Sequence, residues 1–198
     1  MNLDRFYPIF DNVAWLRRML PLGVKLVQLR LKGHSPATLA VQIATARDLC
    51  RQHGAQLVVN DHWQQAIDAG CDAIHLGQED LDAADLPAIR RAGLRLGIST
   101  HDQSELDRAL ALMPDYIALG PVYPTILKQM PWPAQGLDRL TEWKRQVGHL
   151  PLVAIGGMTI ARAAGAFAAG ANSVAAVTDI TLHPDPEARL AAWIVATR

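Results

Sequence analysis

Eight short apolar runs, separated by helix-like segments, constrain this chain more than any other feature. They read FYPIF (Phe6–Phe10), VKLVQLR (Val24–Arg30), QLVVN (Gln56–Asn60), AIHLG (Ala73–Gly77), RLGIS (Arg95–Ser99), YIALG (Tyr116–Gly120), LVAIG (Leu152–Gly156) and SVAAV (Ser173–Val177). Most are rich in Val, Ile and Leu. Near-continuous apolar runs of this length are how parallel strands read when helices cover them. Among the intervening segments, PATLAVQIATARDLCRQHG puts Leu39, Ile43, Ala46 and Leu49 on one helical face, and Gly54 suits the helix end. Ser104 and Thr159 stand near helix starts, where a hydroxyl can satisfy a free N–H. Eight such βα units in 198 residues predict a small single-domain (β/α)₈ TIM barrel spanning residues 1–198. A doubly wound open sheet is the alternative. No linker, composition shift or low-complexity stretch divides the chain.

Charge and cysteine usage narrow the partners. Lysine plus arginine equals aspartate plus glutamate, so the net charge is zero. That balance argues against nucleic acid or an anionic membrane as a bulk partner, and leaves a local basic site open. Cys50 and Cys71 sit in apolar, helix-like surroundings and read as buried thiols of a reduced compartment. MNLDRFYPIF has no long apolar run, which predicts neither signal peptide nor membrane span and hence a cytoplasmic location. Whether the chain forms a homo-oligomer is left open.

A barrel of this kind carries its site at the C-terminal ends of its strands. Those ends deliver Gln28, Arg30 and Lys32; Asn60 and Asp61; Gln78 and Asp80; Ser99; Thr125 and Lys128; Gly156 and Gly157; and Thr178. Gln28 and Arg30 share one side of their strand and point to the barrel mouth. Two cations and an amide there suit a diphosphate. Asp61 and Asp80 follow neighbouring strands, and two carboxylates beside a diphosphate suit Mg²⁺. Alternatively, they cap the helices that follow. The Gly156-Gly157 pair and Thr178 follow the last two strands, where phosphate commonly binds in this fold. His75 reads as a satisfied core histidine; His101 reads as a helix cap or a rim residue.

In order along the chain, QLRLK, VND, HLGQEDL, GISTH, GPVYPT..K, QGL, AIGGM and VTDIT resemble the thiamine phosphate synthase family from about Tyr7 onward. The resemblance implies a (β/α)₈ barrel that joins hydroxymethylpyrimidine diphosphate to a thiazole phosphate. Pyrophosphate is released and thiamine phosphate is formed. It implies that Gln28, Arg30, Lys32, Asn60, Ser99 and Lys128 hold the pyrimidine diphosphate, and that Asp61 and Asp80 hold Mg²⁺. Thr125, Gly157, Val177 and Thr178 would hold the thiazole phosphate. Arg30, Lys32, Ser99 and Lys128 would be the catalytic set, with the Pro-rich Tyr123–Gln135 loop as a lid carrying Lys128. One departure stands in that loop: the family reads Thr-x-Thr-Lys, and here Leu127 replaces the second threonine. The nearest rival is a thiazole tautomerase of the same superfamily, and a phosphate-binding barrel without activity is a second.

Overall fold

A computed structural model describes residues 2–126 and 132–198, and there the predicted barrel is present. The strands are β1 (Phe6–Phe10), β2 (Leu26–Leu29), β3 (Gln56–Asn60), β4 (Ala73–Leu76), β5 (Arg95–Thr100), β6 (Tyr116–Leu119), β7 (Leu152–Ala154) and β8 (Ser173–Ala176). All neighbours are parallel, and β8 closes on β1 with Phe6 opposite Val174. The helices are α1 (Val13–Met19), α2 (Pro36–His53), α3 (Trp63–Asp68), α4 (Gln78–Ala83) and α5 (Leu86–Arg91). They continue with α6 (Gln103–Ala111), α7 (Gly136–Val147), α8 (Ile160–Ala168), α9 (Thr178–Thr181) and α10 (Pro186–Ala196).

Closure of the barrel sorts each strand by its two-residue period. One set of side chains, including Phe6, Phe10, Leu29, Val59, Ile74, Ile98, Ile117 and Val174, packs under the helices. The other set turns inward: Tyr7, Ile9, Leu26, Val58, Ala73, Tyr116, Ala118, Val153 and Ala175 fill the barrel. Burying each large apolar side chain contributes about 1.5–3 kcal/mol. Near-continuous hydrophobicity is therefore required, because both faces of every strand are buried. Tyr7 and Tyr116 are large for such an interior. Ala73, Ala118, Ala175 and the side-chain-free Gly97 leave them room.

Several local expectations shift. Asp102, not Ser104, caps α6, accepting from the Glu105 N–H; Thr159 holds the N-cap position of α8 without a side-chain capping bond. On α2 the buried stripe runs Leu39, Ile43, Ala46 and Cys50, with Leu49 only partly buried, because 3.6-residue spacing drifts over four turns. Gly54 ends that helix at φ 62°, as expected of a C-terminal glycine. Both thiols are free and buried. Burial pushes Cys50 up to about 12 and Cys71 up to about 11, so neither forms a reactive thiolate at neutral pH. No helix among the described residues is long and apolar enough to cross a membrane.

Candidate active site

The adjacent ends of β3 and β4 bring the proposed metal pair together. Asp61 follows β3, and its N–H bonds to the His75 carbonyl of β4 at 3.0 Å. Its backbone is left-handed at φ 64°, a conformation uncommon outside glycine that is often held at functional sites. Asp80 lies in the first turn of α4, because the helix begins directly after Gly77. Its carboxyl is raised above the usual range by burial, then by the charge of Asp61 and a shared hydrogen bond with it. Lys32 and the Gly77 backbone oppose that rise. Asp80 thus reaches back to the N-cap of α4 and also shares a hydrogen bond with Asp61. Lys32 Nζ lies 2.5 Å from Asp61 Oδ2, so the second cation of QLRLK stands at the carboxylate pair.

The remaining predicted residues divide between mouth and interior. Arg30, at the end of β2, is half-buried and close enough to His75 to disfavour a positive imidazole. Gln28 is buried and turns inward, and its Nε2 donates to Tyr7 Oη at 3.0 Å. Asn60 is also buried and stands opposite His75. Ser99, half-buried at the mouth end of β5, has its Oγ 2.8 Å from His75 Nε2. Gln78 donates to the Ser99 carbonyl at 2.7 Å, tying α4 to β5.

Across the mouth, the segment after β6 lies against the glycine pair after β7. The Val122 and Tyr123 N–H groups donate to the carbonyls of Ile155 and Gly156. Gly157, at φ 60°, has no room for a side chain: an added Cβ would lie 2.3 Å from the Pro124 carbonyl oxygen. Thr125, half-buried, follows in the same segment. Arg162 of α8 donates to the Gly157 carbonyl at 2.5 Å and covers the Tyr123 ring at 4.5 Å. Val177 and Thr178, both half-buried, follow β8, with Thr178 opening α9. Lys128 and Leu127 lie outside the described residues, as does the centre of the proposed lid. Trp132 stacks on His101 with ring centres 4.2 Å apart, while His101 Nδ1 pairs with Glu105. His101 is therefore a rim residue, not a helix cap.

His75 is a satisfied interior histidine, and burial lowers it to about 4. Between pH 6.5 and 4 the unfolded chain binds a proton on this ring that the native chain does not. Stability contributed by the neutral ring is complete above about 6.5 and is lost as pH falls through that window, by about 3 kcal/mol in total. Urea unfolding at pH 7, 5.5 and 4.5 should show this slope in the wild-type chain and a shallower one in His75→Gln. Equal slopes in the two proteins would contradict it.

Tyr7, Tyr116 and Gly97 were missed as site residues. Gly97 carried a usable signal, since glycine inside a strand marks a close approach by another group.

Residues 6–180 match the thiamine monophosphate synthase family. A thiamine-phosphate synthase of Rhizobium etli is 59% identical over 197 residues, covering 100% of this chain and 97% of its own. A thiamine-phosphate synthase of Neisseria meningitidis serogroup A is 47% identical, covering 96% of this chain and 92% of its own. The solved thiamine phosphate pyrophosphorylase of Pyrococcus furiosus superposes with a TM-score of 0.88 at 25% identity, over 99% of this chain and 96% of that one. With its fold, the end-to-end match to such relatives and the residues gathered at the barrel mouth in agreement, this chain belongs to the thiamine monophosphate synthase family.

Proposed function

We propose that this chain synthesises thiamine phosphate, joining hydroxymethylpyrimidine diphosphate to a thiazole phosphate with release of pyrophosphate. Family membership supports the reaction, and the Lys32–Asp61–Asp80 cluster carries its assignment to this mouth. The cluster suits Mg²⁺. Two carboxylates that share a hydrogen bond and raise Asp80 are a hard, anionic oxygen pair short of positive charge. When bound there, Mg²⁺ would supply positive charge for the oxygens of the departing pyrophosphate. A thiazole tautomerase would have no use for this cluster.

The chain's own residues perform the remaining work. Arg30 and Lys32 bind the diphosphate and meet the negative charge that grows as the pyrimidine methylene–oxygen bond breaks. The bonding pair leaves with pyrophosphate, and the aminopyrimidine ring stabilises the resulting cation. Asn60 and Ser99 orient the pyrimidine diphosphate from β3 and β5. On the other side of the mouth, Thr125, Gly157, Val177 and Thr178 hold the thiazole phosphate so that its ring nitrogen forms the new carbon–nitrogen bond. Lys128 adds a further cation to the pyrophosphate, and the loop carrying it excludes water from the cation.

Thermal unfolding tests the anionic subsite separately from turnover. Pyrophosphate plus Mg²⁺, at about 100 times the dissociation constant, should stabilise the protein by about 2.7 kcal/mol, or roughly 5–10 °C. Either component alone should shift the midpoint by less than about 2 °C. An equal shift with pyrophosphate alone would remove the metal from this reading.

A further inference from the structure

A single hydrogen-bonded chain crosses the barrel interior and ends at Ser99. Gln28 Nε2 donates to Tyr7 Oη at 3.0 Å, and Tyr7 Oη lies 3.0 Å from Tyr116 Oη. Tyr116 Oη lies 2.9 Å from His75 Nδ1, and His75 Nε2 lies 2.8 Å from Ser99 Oγ. The five side chains come from β2, β1, β6, β4 and β5. Four are buried, and only Ser99 reaches the half-buried mouth. The rings are held by more than these bonds. Tyr116 stacks on His75 at 5.5 Å and meets Tyr7 edge-on at 6.2 Å. Gly97 leaves the space that Tyr116 occupies, since a Cβ there would fall 2.0 Å from Tyr116 Cζ.

We propose that Tyr7, Tyr116 and His75 are positioning residues that polarise this chain in one direction, so that the Ser99 hydroxyl is left as a donor aimed into the mouth. The Gln28 amide nitrogen only donates, so the Tyr7 oxygen accepts from it. Tyr7 then donates its O–H to the Tyr116 oxygen, and Tyr116 donates its O–H to His75 Nδ1. A neutral imidazole that accepts at Nδ1 carries its proton on Nε2, and that N–H donates to Ser99 Oγ. The Ser99 proton is the one left over. The opposite direction would leave the Tyr7 proton with no acceptor among these five side chains, because Gln28 presents its amide nitrogen to Tyr7, and that is a costly arrangement in a buried site. An outward donor fixed before substrate arrives need not reorganise when negative charge develops on the leaving group. The substrate facing Ser99 rests on the proposed function; the direction of the chain does not.

Two measurements test the direction and its consequence. In the free protein, long-range proton–nitrogen spectra of ¹⁵N-histidine protein should show His75 as the Nε2–H tautomer, with its signal identified by its shift in Tyr116→Phe. An Nδ1–H tautomer would overturn the proposal. In single-turnover kinetics, Tyr116→Phe should slow the chemical step roughly tenfold, the worth of one hydrogen bond, while KM stays within about threefold. In a Ser99→Ala background the same substitution should cost less than about twofold, because the residue it acts through is gone. Equal losses in both backgrounds would assign Tyr116 to packing alone and overturn the proposal. Tyr7→Phe, which removes the next hydroxyl, should give the same pattern and replaces Tyr116→Phe if that variant does not fold. Should the wild-type chain make no thiamine phosphate, the proposed function falls, and the tautomer spectrum still decides the direction of the chain.

Discussion

Asp80→Asn and Asp61→Asn should each lower the rate of thiamine phosphate formation by roughly 10²–10³, the loss expected when several kcal/mol of leaving-group stabilisation disappear. Asparagine is the informative substitution at both positions. It keeps the size of the side chain and removes the charge. At Asp61 it also suits the left-handed backbone, φ 64°, which alanine would strain. At Asp80 it can still reach back towards Gly77, so α4 keeps its first turn. Loss of rate with an unchanged melting temperature would therefore report on the charge. Each variant should also need far more Mg²⁺ to reach half its maximal rate. Rates within about threefold of wild type at saturating Mg²⁺ would count against the pair as a metal site.

The largest stability effect is expected at a residue with no side chain. In Gly97→Ala the new methyl carbon would lie 2.0 Å from Cζ, 2.3 Å from Cε1 and 2.5 Å from Oη of Tyr116. Tyr116 cannot swing aside, because it is fully buried between His75 and Tyr7 in a closed barrel. Overpacking costs about 1–3 kcal/mol or more, and a displaced hydroxyl would leave buried partners unsatisfied at about 1–3 kcal/mol. Together these lower the melting temperature by roughly 6–15 °C for a chain of this size. The double variant Gly97→Ala with Tyr116→Leu should lose less than the sum of the two single variants, since leucine clears the ring from that space. A fall below about 2 °C in Gly97→Ala would show that the ring has freedom the packing does not suggest.

What could be read from the sequence follows from which interactions are local. The eight strands were legible because both faces of each are buried, so the central positions of a run such as QLVVN, Leu57 to Val59, must be apolar. The pairing of Asp61 with Asp80 was legible because consecutive strands of a barrel are neighbours; Asp61 directly follows β3, and Asp80 comes four residues after β4. Lys32 beside Asp61 needed the loop conformation as well as the strand order. The Tyr7–Tyr116 contact joins residues 109 positions apart through the barrel interior, so no local pattern could announce it. Gln28 shows the same limit: strand period pointed it to the barrel mouth, but only Tyr7 of the neighbouring strand shows where its amide nitrogen bonds. The stack of Trp132 on His101 was not legible because the two residues lie on different loops, 31 positions apart. Ser104 lost the cap of α6 to Asp102 because helix start signals fix a boundary only to within a residue or two.

Mixing both substrates with the purified protein tests the central claim most directly. With hydroxymethylpyrimidine diphosphate, thiazole phosphate and Mg²⁺, thiamine phosphate and pyrophosphate should accumulate in equal amounts. Neither product should form when one substrate is omitted, and chelation of the metal should stop the reaction. Tight binding of the thiazole phosphate without any coupled product, or its tautomerisation alone, would contradict the account.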